Sequence, residues 1–514
     1  MEKILVLDFG GQYNQLIARR VRDHHVYAEI LPYTTPIETI KENGYKGIIF
    51  TGGPNSVFDM SSPHYTKDIL ELGVPVLGIC YGCQLIAWMG DGKVETAPVS
   101  EYGKIEVTVG KSKLFKDIPE KSVTWMSHTD YIAEPPKGYE IIAHTDDCPC
   151  AAMQNTHKNI YAVQFHPEVT HSVYGKEILH NFLYEICRCS GDWVMDNFIE
   201  NTVKSLREKI GDKNVILGLS GGVDSSVAAG LLSRAVGKQL TCVFVDQGLM
   251  RKDEGDFVEE TFTRLFDMNF VRVNCGDHFM QCLKGVTDPE QKRKIIGTEF
   301  YKVFWDEVRA RASEGYFAQG TIYPDRIESG KGKSAGKANT AVIKTHHNMV
   351  EKPKDINFID TIEPLGDLFK DEVRAVGEKL GIPHELVWRQ PFPGPGLGVR
   401  IIGEVTADKV KILQDADWVL RDEMSKNGYE SNLAQFFCVL PGVNSVGVMG
   451  DHRTYDNVVV IRAVTTDDFM TADWAKIPYD ILAKVSNRIT NECAHINRVV
   501  YDITSKPPGT VEWE

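Results

Sequence analysis

The chain has 514 residues, 42% of them hydrophobic and 25% charged, which provides for about three domains and argues against disorder. Its 57 Lys and Arg against 71 Asp and Glu leave a net charge of −14, unfavourable for general binding of nucleic acid or anionic membrane. No run approaches the ~18 apolar residues of a membrane span, and 11 scattered cysteines form no disulfide framework, so a reducing cytoplasm is expected.

Three segments follow in chain order. Residues 1–190 alternate all-apolar runs, ILVLDF (4–9), GIIFTGG (47–53) and VPVLGIC (74–80), with helix-like stretches such as Gln12–Arg22. Runs apolar at every position suit buried parallel strands, so an α/β domain with a doubly wound sheet is predicted. The N-terminal run is cut off at Asp8, too early for a secretory signal. Residues 192–210 space Trp193, Phe198, Ile199, Val203, Leu206 and Ile210 at helical intervals and mark a junction. A second α/β pattern occupies 191–388, with strands at 214–220 and 240–246 around a helix at 225–237. The prolines and glycines of RQPFPGPGLGVR (389–400) forbid a helix or a central strand. Beyond them, SVGVMG, NVVVIRAV, RVVYDIT and a helix near 476–490 read as a small α+β domain over 389–514. The lysine- and glycine-rich stretch 329–354 is either a solvated loop or a basic lid over a polyanion.

Gly78-Ile-Cys80-Tyr-Gly82 stands where a buried strand turns into a helix, with Cys in the place of an elbow nucleophile. A helix N-terminus favours the thiolate. A buried structural Cys is the common alternative, and Cys80 with Cys83 could form a redox or metal pair, although no second CxxC completes a zinc site. Gln164-Phe-His166-Pro-Glu168, read as a strand end, puts His166 and Glu168 on one face and supplies the base and the group that orients it. The Gly52-Gly53 turn offers a backbone N–H, with that of Tyr81, for an oxyanion. In combination TGGPNS, GICYGCQ and QFHPE resemble the class I glutamine amidotransferases. The resemblance implies that Cys80 attacks the carboxamide, His166 shuttles the proton and Glu168 orients it. Gly53 and Tyr81 are then the oxyanion donors, and Gln84, Ser127 and His128 bind glutamine.

Ser220-Gly221-Gly222-Val223-Asp224-Ser225-Ser226 lies between a strand and a helix. Its Gly-Gly turn can cradle an anion on backbone N–H groups, with serine hydroxyls adding donors and Asp224 able to hold Mg²⁺. The loop has no Lys, so it is not a Walker A site, and no GxGxxG follows a strand. SGGVDSS resembles the PP-loop of ATP pyrophosphatases, which implies ATP binding there and at Val245 and Leu249.

With the later motifs QGTIYPDRIES, IKTHHN, EPLGDLFKDEVR, PFPGPGLGVR, GVMGDHRTY and the tail KPPGTVEWE, the whole chain resembles the glutamine-hydrolysing GMP synthases. The resemblance implies XMP + ATP + glutamine + H₂O → GMP + AMP + PPi + glutamate, with Mg²⁺ and a C-terminal dimerisation domain. It implies that Asp325, Glu328 and Lys344 take part in adenyl-XMP formation, and that Arg293, Gln435, Lys506 and Glu512 bind XMP. Two other readings compete: a PP-loop sulfurtransferase acting on RNA, which the acidic charge and the lack of a CxxC after residue 190 disfavour, and a non-catalytic nucleotide sensor, which the intact nucleophile and base disfavour.

Overall fold

Where every residue of a short run is apolar, the strand must be covered on both faces. The computed structural model describes residues 1–59, 61–311, 315–328, 356, 358–430, 433–449, 451–466 and 469–514. The chain forms two compact units: Met1–Glu200 with the short helix Tyr323–Glu328, and Asn201–Ile322 with the described residues from 356 onward.

The first unit holds a nine-stranded sheet. Its strands are β1 (Lys3–Asp8), β2 (Tyr27–Pro32), β3 (Gly47–Phe50), β4 (Val76–Ile79), β5 (Lys93–Val109), β6 (Lys121–Glu134), β7 (Glu140–His144), β8 (Ala152–Asn155) and β9 (Ile160–Val163). The order is β2-β1-β3-β4-β9-β8-β7-β5-β6. The first five are mutually parallel, the remainder antiparallel. The predicted doubly wound part is therefore present, extended by an antiparallel half. Strands β3, β4 and β9 are buried at every position, as their composition requires. The long β5–β6 ribbon has a polar, half-exposed pattern, and no continuous apolar run announces it.

Helix Met195–Ile210 carries the chain into the second unit, where five parallel strands lie in the order β12-β11-β10-β13-β14. They are β10 (Asn214–Gly218), β11 (Leu240–Asp246), β12 (Asn269–Asn274), β13 (Gly315–Ala318) and β14 (Phe358–Ile362). The first strand in sequence is central, so the crevice of an open α/β sheet opens at its carboxyl end. A further sheet follows, made of β15 (Gln435–Val439), β16 (Asn444–Met449), β17 (His452–Thr465), β18 (Asp473–Trp474) and β19 (Ile496–Asp502). Helices Ala407–Lys426 and Tyr479–Glu492 cover it through Leu413, Leu420, Val485 and Ile489. Their apolar cluster continues through Leu397 to Leu249, Phe279 and Ile296. The predicted segments 191–388 and 389–514 thus share one core, because Leu397 belongs to the glycine–proline stretch and yet is fully buried. That stretch forms one short 3₁₀ turn, Gly396–Val399, which its glycines permit.

Candidate active sites

Strand β4 ends at Ile79 and a helix begins at Tyr81, leaving Cys80 alone to make the turn, with φ 53° and ψ −109°. A non-glycine residue there is strained and persists only when its surroundings enforce it. They do so by close packing. A Cβ on Gly82 would lie 2.6 Å from both the Cβ and the carbonyl oxygen of Phe50, and one on Gly78 would lie 2.6 Å from the Gly82 carbonyl. Backbone bonds from Cys80 N–H to Val163 C=O (2.9 Å) and from Gly82 N–H to Thr51 C=O (3.1 Å) fix the elbow between β3 and β9.

Past β9 the chain turns, and this turn carries His166 and Glu168. His166 and Glu168 do not share a strand face as predicted; Pro167, unable to donate to a ladder, stands between them outside any strand. The two side chains still meet, with Nδ1 of His166 2.7 Å from Oε1 of Glu168. His166 is 5% and Glu168 1% exposed. The His166 N–H donates to the Trp125 carbonyl (3.0 Å), the Ser172 hydroxyl donates to the His166 carbonyl (2.6 Å), and Tyr13 sets its ring edge-on at 5.2 Å. Burial acts against a charged ring, but hydrogen bonds and charge from Cys80 and Glu168 outweigh it and raise the His166 pKa to about 11. An imidazolium beside the sulfur is the electrostatic condition for a nucleophilic thiolate. Cys83, one turn on, is held well above the ordinary thiol range by burial and by Cys150 and Cys148 nearby, so it stays a thiol.

A Cβ on Gly52 would lie 3.4 Å from the His166 ring and 3.7 Å from Cys80 Cβ. Gly53 packs against the Tyr81 ring, where a Cβ would come within 3.1 Å. The backbone of this turn and the first N–H groups of helix Tyr81–Met89 thus flank the sulfur. Of the predicted glutamine residues, Ser127 presents its carbonyl to Cys80 (3.7 Å to Sγ), Gln84 donates to the Asp130 carbonyl (2.7 Å), and His128 Nδ1 reaches the same carbonyl (3.0 Å). Two residues outside the predicted set also reach this site: the Gln164 amide donates to Cys80 Sγ at 3.9 Å, and Glu101 lies 2.9 Å from Nε2 of His128. Gln164 stood inside a quoted motif; Glu101 carried no local signal.

In the second unit, β10 ends in Gly218 and helix Val223–Val236 begins behind Gly222. Gly221 has φ 72°, which a side chain would resist. The Ser220 hydroxyl accepts from Gly222 N–H and meets the Ser225 hydroxyl (3.2 and 3.0 Å), while those of Ser225 and Ser226 donate to the Gly222 carbonyl (3.1 and 2.7 Å). Beside this loop a cavity of about 190 Å³ is lined by Ser220, Gly222, Asp224, Ser225, Phe304 and Gln319 among others. Polar turn and aromatic wall together suit a nucleotide with its phosphates on the loop. Val223 and Ser226 are buried, and Val245 and Leu249 put their side chains into apolar cores, so nucleotide contact there would be through the backbone. Asp224, the predicted metal ligand, has its two oxygens 2.8 and 2.7 Å from Lys370 Nζ. The position therefore accommodates positive charge, and with the serine hydroxyls it offers the hard oxygen donors that Mg²⁺ takes. Arg389, outside the predicted set, donates to the Gly221 carbonyl and pairs with Glu254.

Among the predicted XMP residues, Gln435 donates to Glu512 (2.8 Å), which also holds Arg400 (3.0 and 2.8 Å). Arg293 donates to the Glu514 carbonyl, and Lys506 donates to that of Phe469 (2.5 Å). The tail thus gathers Gln435, Glu512 and Arg293, while Lys506 is engaged separately. Asp325 lies on helix Tyr323–Glu328, which Glu328 closes. Lys344 and the stretch 329–354 lie outside the described residues.

Two groups among the described residues have metal-ligand chemistry: Glu101, His128 and Cys148; and His278, Cys282 and Glu299. In the first, burial and the Glu101 charge raise Cys148 to about 12, and both Glu101 oxygens already have hydrogen-bond partners. In the second, Glu299 is shared with Lys302.

Comparison with known proteins agrees with this geometry. Residues 5–186 match the family model of class I glutamine amidotransferases, 195–291 that of NAD synthase, and 422–513 that of the GMP synthase C-terminal domain. Proteins named GMP synthase [glutamine-hydrolyzing] from Ruminiclostridium cellulolyticum and Acetivibrio thermocellus are each 59% identical, and one from Clostridium botulinum is 58% identical. Each match spans 100% of this chain and 99% of the relative.

Proposed function

The chain belongs to the glutamine-hydrolysing GMP synthases, and from that membership we propose how its own residues divide the reaction, XMP + ATP + glutamine + H₂O → GMP + AMP + PPi + glutamate. The observation that carries the first half is the His166 ring held between Glu168 and a strained Cys80. Cys80 as thiolate attacks the glutamine carboxamide. The oxyanion is met by backbone N–H groups of Gly53 and Tyr81, each such donor being worth about 3–4 kcal/mol. His166 gives its proton to the departing ammonia and then takes one from the water that releases glutamate.

In the second half, ATP sits with its phosphates on Ser220–Ser226, and the XMP oxygen takes AMP while pyrophosphate leaves. Bound with ATP, Mg²⁺ would add positive charge at the phosphates beside Asp224. Gln435, Glu512, Arg293 and Lys506 are the proposed XMP contacts, and Asp325, Glu328 and Lys344 the proposed groups of the adenylation step. Ammonia then displaces AMP. The division into 1–190, 191–388 and 389–514 is proposed as one of function, the last two segments sharing a core. With glutamine labelled with ¹⁵N in its amide, XMP, ATP and Mg²⁺, mass spectrometry should find the label in GMP and AMP as the nucleotide product. Unlabelled GMP, or ADP in place of AMP, would overturn the reading.

The cytoplasm is the proposed location, supported by eleven free cysteines; no described helix is long and apolar enough to cross a membrane. A homodimer through 389–514 is proposed as well. Support comes from the neighbouring Val446, Val448 and Tyr455 of β16 and β17, which are exposed apolar groups. Light scattering should give twice the chain mass, and Val448→Glu should shift it to one; a monomeric native chain removes the proposal.

A further inference from the structure

Two buried ionisable side chains, each 4% exposed, face one another behind the thiol: Glu101 and His128. They are directly opposite across the β5–β6 pair. The pairing is irregular just before them. Thr96 opposes Asp130 and Glu101 opposes His128, so residues 97–100 of β5 bulge against Thr129 alone. A bulge re-aims the side chain that follows it, and here residues 98–100 are exposed whereas Glu101 turns inward.

Each Glu101 oxygen is engaged. Oε2 is 2.9 Å from His128 Nε2, and Oε1 accepts from the Thr145 hydroxyl at 2.6 Å. Thr145 itself is fixed, since its hydroxyl accepts from Cys148 N–H (2.8 Å) and its N–H donates to the Cys148 carbonyl (2.9 Å). The carboxylate is thus tethered to a closed turn. On the other side, His128 Nδ1–H donates to the Asp130 carbonyl, the same oxygen that accepts from Gln84. The Gln84 amide also donates to the side-chain oxygen Oε1 of Gln164 (3.3 Å), and the Gln164 amide donates to Cys80 Sγ. One residue before His128, the Ser127 carbonyl lies over Cys80.

We propose that Glu101 is a positioning residue for glutamine: it holds His128 at Nε2 while the Asp130 carbonyl takes Nδ1–H, and so fixes the Ser127–Asp130 backbone and the Gln84 amide against which substrate is seated. This rests on the reading that Cys80 hydrolyses glutamine. A buried hydrogen-bonded pair that loses one partner leaves the other without compensation, so the ring would seek another arrangement. Loss of the contact should therefore act on substrate seating more than on the sulfur, which its own elbow holds.

The test uses the full chain with Glu101→Gln and, as a milder change, Thr145→Val. Cys80 is labelled with 6-diazo-5-oxonorleucine, a glutamine analogue that must be seated before it reacts, and with iodoacetamide, which needs no seat. Glu101→Gln should raise the glutamine KM and the analogue's half-saturation about tenfold. The iodoacetamide rate and kcat should stay within about twofold, and so should ammonium-supported GMP formation. Thr145→Val should move the same constants in the same direction by less. Half-saturation unchanged in both variants would overturn the proposal. A parallel fall with both reagents would also overturn it, because that marks general loss of the domain. If native Cys80 reacts with iodoacetamide but never with the analogue, the glutamine reading itself fails first.

Discussion

Cys80 and Cys83 are three residues apart and both buried, yet only Cys80 faces a base. What separates them is direction: Cys80 sits at the turn, facing His166, whereas Cys83 lies inside the helix among other thiols. The base is correspondingly perturbed. A histidine whose pKa is raised from 6.5 to about 11 remains imidazolium across the neutral range. The stability this pairing contributes is complete below pH 6.5, where the unfolded ring is also charged, and is lost as pH rises through about 11. In a pH titration followed by NMR, the His166 ring should therefore stay doubly protonated through neutrality. In Cys80→Ala, which keeps Glu168 but removes the sulfur, it should titrate at distinctly lower pH. An unchanged titration would mean that Cys80 does not sustain the charge. At this scale Cys80 and His166 were legible because motif spacing reports them. Glu101 and Gln164 were not: the first gains its neighbours across strands, and the second sits in a motif that says nothing of where its amide points.

At the scale of elements, the strand–turn–helix around Cys80 is built by close approach. Gly78 and Gly82 let the Tyr81–Met89 helix lie on β3 and β4 with no side chain between them. Gly82→Ala forces a carbon onto Phe50 backbone, and overpacking of this kind costs about 1–3 kcal/mol. The variant should unfold earlier in a thermal melt and lose glutamine hydrolysis at least tenfold, because the helix start must move relative to His166. A fully active and fully stable variant would show that the packing is not needed. The PP-loop follows the same logic with a different demand, a left-handed Gly221 in place of the strained Cys80. Both turns were visible as glycine patterns between apolar runs. The β5–β6 ribbon was not, since alternating polar strands give a weak signal and their register comes from pairing.

At the scale of the whole molecule, the thiol site lies in one compact unit and the nucleotide loop in the other. Each should then fail by itself. Cys80→Ala should lower glutamine-supported GMP formation at least a thousandfold and leave ammonium-supported synthesis within about twofold of native. Equal loss of both would show that the sites are not separable. The sequence alone determined the two α/β patterns, the turn at Cys80, the glycine–serine loop at 220–226 and the family, because each resides in a contiguous stretch whose spacing is fixed by local backbone geometry. Tertiary structure alone decided that the core runs through Leu397 from one predicted segment into the next, that Lys370 sits on Asp224, and that Glu101 stands behind His128. Those contacts join residues more than twenty-five positions apart, and only the packed chain determines which distant side chains meet.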